Sequence, residues 1–221
     1  MTTQTKDTIG MPMEGPIARW YAQNTRHGRE AEFDKAAQAV TQNLPDGSAI
    51  LEVSPGPGYL AVRLARLGRY PVSGLEISRT FVEIERQNAA EAGVQVDFRL
   101  GSVLRMPFGD EAFERVVCQA AFKNFGDPVM ALDEMYRVLK PGGKAVIFDL
   151  RADATDAENN RAVDDMHLNV INSWFTKLTF KYVLKKRAYT RAAFEGLAAR
   201  SRFKTCVIHN DGIGMAVWLN K

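Results

Sequence analysis

Apolar positions along this chain follow two rhythms. Arg29–Leu44 carries Phe33, Ala36, Ala37, Val40 and Leu44 at three- and four-residue spacing, the period of a helix with one buried stripe, closed by Pro45-Asp46-Gly47. Beyond it come short, continuous apolar runs: Ala49–Val53, Tyr70–Leu75, Val96–Leu100, Phe113–Cys118 and Ala145–Leu150. Helical patterns separate them, one running to Leu67, then Ser78–Ala92 and Met130–Leu139. A run that is apolar at every position belongs to a strand covered on both faces, and strands alternating with helices build a parallel sheet. The tail changes rhythm. A helix at Thr190–Arg200 precedes two more strands, Lys204–His209 and Gly214–Leu219, with only Asn210-Asp211-Gly212 as a turn between them. Strands so close must pair antiparallel, at a sheet edge. The expected fold is therefore α/β and Rossmann-like: a mostly parallel seven-stranded sheet, helices on both faces, and a C-terminal antiparallel hairpin.

Composition narrows the function classes. The 221 residues are 46% hydrophobic and 25% charged, enough to bury a core, so a disordered chain is excluded. Length points to one domain over 1–221, with an N-terminal segment (1–28), a core (48–151), an insert (152–188) and a final helix with hairpin (189–221). Cys118 and Cys206 are too few for a disulfide framework and read as buried free thiols of a reducing compartment. The polar stretch Met1–Gly10 is no signal peptide, and no run nears the roughly 20 apolar residues of a spanning helix, so a cytoplasmic protein is expected.

The first strand leads into Glu52-Val53-Ser54-Pro55-Gly56-Pro57-Gly58-Tyr59 and then a helix. A glycine turn between strand and helix lets a ligand approach the backbone, though a tight structural turn has the same composition. The nicotinamide fingerprint lacks its last glycine here, and the Lys-Ser/Thr of a P-loop is absent. Glu76 closes the second strand. A carboxylate there can accept both hydroxyls of a ribose diol, or simply complement the N-terminus of the following helix.

Together these residues resemble the class I S-adenosylmethionine-dependent methyltransferases of the small-molecule type. The likeness runs through residues 48–151. Glu52, Gly56 and Gly58 match the family's first motif, with Ser54 in place of its first glycine; Glu76 matches the second. Gly101-Ser102-Val103 matches the third, where Asp is more usual at Ser102, and the stretch from Phe113 to Pro128 the fourth. Arg137-Val138-Leu139-Lys140-Pro141-Gly142-Gly143 follows before the fifth strand. The resemblance implies S-adenosylmethionine as cofactor and S-adenosylhomocysteine as product. It implies Ser54, Gly56 and Gly58 along the methionine part, Glu76 on the ribose, Ile77 on the adenine, Ser102 and Val103 at the adenine edge, and Gln119 closing from the fourth strand. Trp20 and Tyr21 are expected where family members fold an N-terminal segment over the site.

Methyl transfer from a sulfonium needs alignment and exclusion of water more than a base, so the sequence names the cofactor better than the acceptor. Acceptor-side candidates are Lys123, Asn124, Arg151, His167 and Trp174, with His167 the one candidate base; each also has a plain reading as a loop, an ion pair or core packing. His27 and His209 read as bystanders. The net charge of +3 resides in residues 166–194, where Lys177, Lys181, Lys185, Lys186, Arg187 and Arg191 meet no acid, leaving the remainder at −3. Lys177, Lys181 and Lys185 form one helical stripe, so Met166–Ala188 reads as a lid, a membrane-surface helix or a solvated amphipathic helix. The expected partner is a small-molecule acceptor. RNA or protein acceptors and a non-catalytic cofactor-binding protein are the alternatives. Base-modifying relatives often carry Asn/Asp-Pro-Pro-Tyr/Phe where this chain has Cys118-Gln119-Ala120-Ala121. No metal site is expected.

Overall fold

The computed structural model describes residues 7–9, 13–26, 29–164 and 187–221. Two N-terminal helices, α1 (Gly15–Thr25) and α2 (Glu30–Thr41), precede β1 (Ile50–Val53), α3 (Tyr59–Arg66), β2 (Val72–Glu76) and α4 (Arg79–Glu91). Then come β3 (Asp97–Leu100), β4 (Phe113–Gln119), α5 (Pro128–Val138), β5 (Leu139–Leu150) and α6 (Asp156–Asp164). The chain ends in α7 (Arg191–Arg200), β6 (Val207–Asp211) and β7 (Gly214–Asn220). The seven strands form one sheet in the order β3-β2-β1-β4-β5-β7-β6, with β7 antiparallel to both neighbours and every other pairing parallel.

Alternation along the central strands divides the interior. Leu51, Val53, Val116, Cys118, Ala145 and Ile147 face the core under α5 and α7. Ile50, Val117 and Val146, one residue out of phase, face the core under α2 and α3. Both faces are sealed, which is why these strands read as unbroken apolar runs. The stripe read on α2 is the buried one: Phe33, Ala36, Ala37 and Val40. Side chains cap several helices. Ser78 Oγ accepts from Phe81 N (3.1 Å), Asp127 Oδ1 from Met130 N (3.0 Å) and Thr190 Oγ1 from Ala193 N (3.1 Å). Cys118 and Cys206 are free thiols.

The structure departs from the sequence reading in four places. The N-terminal segment 1–28 contains α1, opened by Pro16 at its first turn, a helix that the apolar pattern did not reveal. The polar stretch after β5 contains α6, started by a capping box in which Thr155 N donates to Glu158 Oε2 (2.7 Å) and Glu158 N to Thr155 Oγ1 (3.2 Å). Lys140-Pro141-Gly142-Gly143, expected ahead of a strand at Ala145, lies inside β5, whose pairing with β4 shifts register between Phe113 and Arg115. The hairpin turn is Gly212-Ile213, since Asp211 still pairs with Gly214. The amphipathic segment Met166–Ala188, with Lys177, Lys181, Lys185 and Lys186, lies almost wholly outside the described residues. Among the described residues no helix is long and apolar enough to cross a membrane.

Gly74 in β2 shows how closely the sheet is packed: a Cβ there would stand 2.5 Å from Phe98 Cδ1. Gly74→Ala should therefore destabilise the chain by about 1–3 kcal/mol, read as a lowered thermal midpoint. An unchanged midpoint would show that Phe98 yields freely.

Candidate active site

β1 ends at Val53, and Ser54 enters the left-handed region (φ 55°), as do Gly56 (58°) and Gly58 (79°). These turns reverse the chain into α3 beneath the carboxyl ends of β1, β2 and β4. An added Cβ at Gly56 would meet nothing within 4 Å, so this backbone faces open space. Gly58 faces inward, where a Cβ would lie 3.0 Å from Glu85 Cγ and 3.2 Å from Phe98 Cζ. The cavity above the turn encloses about 320 Å³.

Its acid lies on the far wall. Glu76 Oε1 accepts from Ile77 N (2.8 Å) and Ser78 N (2.9 Å), while Oε2 accepts from Gly56 N (3.1 Å). Burial raises the pKa of Glu76, and the three amides offset part of that rise. Glu52 and Gln119 also line the cavity, and Glu52 Oε2 and Gln119 Oε1 are buried with no hydrogen-bond partner among the described residues. Burial pushes Glu52 up to about 8.

The N-terminal segment supplies the cover. Thr8 bridges to Phe125, and Ile9 N donates to Asn124 O (2.8 Å). Glu14 seats α1 on α4: Oε1 accepts from Arg79 N (2.9 Å), and Oε2 from Thr80 N (3.1 Å) and Thr80 Oγ1 (2.6 Å). Tyr59 Oη donates to Ala22 O (2.7 Å), and the Tyr21 ring meets Phe81 edge-on at 6.0 Å. At the mouth, Arg29 grips Glu32 through Nε (2.8 Å) and a terminal nitrogen (2.6 Å), and Gln119 Nε2 donates to Glu32 Oε1 (3.0 Å). Burial alone would raise the Glu32 pKa; its bonds to Arg29 and Gln119 hold it below the ordinary carboxylate value.

The cavity thus gathers Tyr21, Glu52, Ser54, Gly56, Glu76, Ile77, Gln119 and Asn124 from the sequence-named residues. Others lie elsewhere. Trp20 turns outward, 64% exposed, because Ala18 and Ala22 form the buried side of α1. Val103 packs in the core, and Ser102 Oγ donates to Asp7 Oδ1 (2.8 Å) while accepting from Leu104 N (3.1 Å). Lys123 is neither a solvated loop residue nor a pocket residue. It is buried, with Nζ 2.7 Å from Asp149 Oδ1 and donating to Ala120 O. Arg151 pairs with Asp153 (3.2 Å) and Glu158 (2.5 Å) and donates to Gly212 O (2.8 Å). His209 is exposed on β6. His27, His167 and Trp174 lie outside the described residues.

Arg29, Phe33, Tyr59 and Phe81 line the cavity without having been named from sequence. Only Arg29, charged and poised between two helices, carried a sequence signal.

Residues 51–147 match a family model described as a methyltransferase domain. Over those residues the chain is similar to that family. It is similar to a demethylmenaquinone methyltransferase of Deinococcus radiodurans, 34% identical over 101 residues, which are 45% of this chain and 42% of that protein. The chain spans about half the length of the curated relatives it matches. Among solved structures, one provisionally named an S-adenosylmethionine-dependent methyltransferase from Methanococcus maripaludis superposes with a TM-score of 0.75 at 18% identity, covering 96% of this chain and 97% of that one. The plantazolicin methyltransferase BpumL, solved with S-adenosylhomocysteine, superposes with a TM-score of 0.69 at 13% identity, over 92% of this chain and 89% of that one. At such identities the likeness is one of fold.

Two buried features of this domain yield tests. Removing one partner of a buried ion pair leaves the other uncompensated, so Lys123→Met should destabilise by about 3–5 kcal/mol in chemical denaturation. A smaller loss than about 1 kcal/mol would mean that Asp149 finds its bonds elsewhere. Glu85, on α4 behind Gly58, is fully buried, neither carboxyl oxygen has a hydrogen-bond partner among the described residues, and burial pushes it up to about 10 from an ordinary 4.5. Below the lower value both states hold the proton. Above it only the unfolded chain ionises, so Glu85 erodes stability as pH rises toward about 10. Glu85→Gln should remove that slope: the variant's midpoint should exceed the wild type's by several degrees at about pH 9 and by little at about pH 5. Parallel pH curves would contradict the assignment.

Proposed function

We propose that the chain transfers a methyl group from S-adenosylmethionine to a small, flat, largely apolar acceptor. The observation that carries this reading is the set of groups around the glycine turn: the open Gly56 backbone, the amide-held Glu76 carboxylate, and the unpartnered oxygens of Glu52 and Gln119 in one cavity. These residues fit the cofactor. Glu76 is an acceptor for ribose hydroxyls, with Ile77 as an apolar wall beside the base. The Gln119 and Glu52 oxygens are acceptors for the ammonium of the methionine part, and Arg29 is a cation for its carboxylate. When bound, the cofactor supplies a methyl carbon activated by a sulfonium.

The chain's own contribution is positioning. Tyr21, Phe33, Phe81 and Phe125 give the cavity aromatic walls, and the cover formed by Ile9, Met13 and α1 excludes water from the reacting atoms. The similarity to a demethylmenaquinone methyltransferase supports a ring-bearing acceptor of quinol or phenol type. His167 and Trp174 remain acceptor-side candidates on the basis of sequence.

Calorimetry on the whole chain should show S-adenosylmethionine and S-adenosylhomocysteine binding, weakened at least tenfold by Glu76→Ala, a loss in line with a charge-assisted hydrogen bond. No binding would refute the reading. Labelled-methyl transfer to a panel of phenols and quinols should give product. Cofactor binding without transfer to any acceptor fraction would instead support a cofactor-binding protein.

A further inference from the structure

A second groove opens at the opposite edge of the sheet, by the amino ends of β1 and β4, and encloses about 610 Å³. It shares no lining residue with the cofactor cavity. Its floor holds Arg115, which is 5% exposed. Among the described residues the Arg115 guanidinium has no carboxylate partner, and its Nε is buried with no hydrogen-bond acceptor. The guanidinium carbon lies 5.3 Å from the centroid of the Trp218 ring, which lines the same groove. Burial lowers the Arg115 pKa; of its neighbours, the Tyr70 hydroxyl opposes that shift, yet Tyr70 gives its own proton to Leu44 O (3.2 Å).

A guanidinium buried without an oxyanion has given up its water with no acceptor in return, which is unfavourable. The acid on the groove wall does not serve it. Glu114 Oε1 takes Lys140 and Oε2 accepts from Ala49 N (2.7 Å). Lys144, exposed on the rim, adds a second cation. Leu44, Pro45 and Pro141 complete an apolar flank. Two cations with an indole and an apolar wall match an anion that carries a hydrophobic body.

We propose that this groove is a second ligand site, one that binds a small organic anion: a carboxylate or phosphate ester on an apolar body, its oxyanion on Arg115 and its body along Trp218. Planar guanidinium geometry suits two parallel bonds to such an oxyanion.

The whole chain is titrated by calorimetry with phenyl phosphate, benzoate and inorganic phosphate, each to about 10 mM. At least one of the two organic anions should bind saturably and more tightly than inorganic phosphate. Arg115→Met should weaken it at least tenfold and leave S-adenosylhomocysteine affinity unchanged. In the absence of anion that variant should be no less stable than the wild type, because the substitution removes an uncompensated buried charge. Should Arg115→Met fail to fold, Lys144→Ala, at an exposed position, should weaken the anion at least threefold. Absence of saturable binding by either organic anion overturns the proposal, as does unchanged affinity in the Arg115 variant, or in the Lys144 variant where that one decides. Cofactor binding is measured separately, so failure here leaves the methyltransferase reading standing.

Discussion

A parallel sheet sealed on both faces has nowhere to present chemistry except at its two ends. That constraint governs this molecule. With Leu51, Val116 and Ile147 committed to one core and Ile50, Val117 and Val146 to the other, the central strands have no free face left. Polar side chains then collect where the strands stop. At the carboxyl ends stand Glu52, Glu76, Gln119 and Asp149; at the amino ends, Glu114 and Arg115. Ligand sites of open α/β sheets fall at strand ends for the same reason.

At the carboxyl edge the left-handed backbone at Ser54, Gly56 and Gly58, and at Ala120 beyond β4, turns each strand away sharply enough to leave space between the connections. Asp149 holds one of these departures in place. It accepts from Lys123 N (3.0 Å) as well as from the Lys123 ammonium, so the loop after β4 is tied to β5 through both backbone and side chain. The N-terminal segment closes the space from above, and its anchorage is electrostatic. A carboxylate from outside the sheet, Glu14, caps α4 where the amides of Arg79 and Thr80 are free to donate.

The sheet was legible in the sequence because its signal is repeated: five apolar runs separated by helical stretches leave little choice of architecture, and a short link between the last two strands dictates their antiparallel pairing. The acids and the glycine turn at the cavity were legible because they sit at fixed offsets from strand ends. Positions that depend on rotation about a helix were not. Trp20 and Tyr21 are adjacent, but α1 can bury only one side, and the small residues Ala18 and Ala22 decide which. Lys123 read as a loop residue because its partner Asp149 lies in another strand, and sequence separation hides such a pairing. Ser102 was read from its place in a motif, whereas Asp7 claims its hydroxyl. The capping box at Thr155 and Glu158 was visible in principle, yet the acidic composition around it masked the helix.

Glu76 carries a consequence of its own. A carboxylate offers about four lone-pair directions. Three are spent on the amides of Ile77, Ser78 and Gly56, two of them on Oε1, which leaves a single open direction on Oε2. A diol gripped through both hydroxyls needs two. The second would come only by releasing the Gly56 amide, the one donor of the three that belongs to the glycine turn, so a diol held through both hydroxyls would rearrange that turn as it bound. Two bonds to a diol at this carboxylate would cost one internal hydrogen bond, the one from the Gly56 amide.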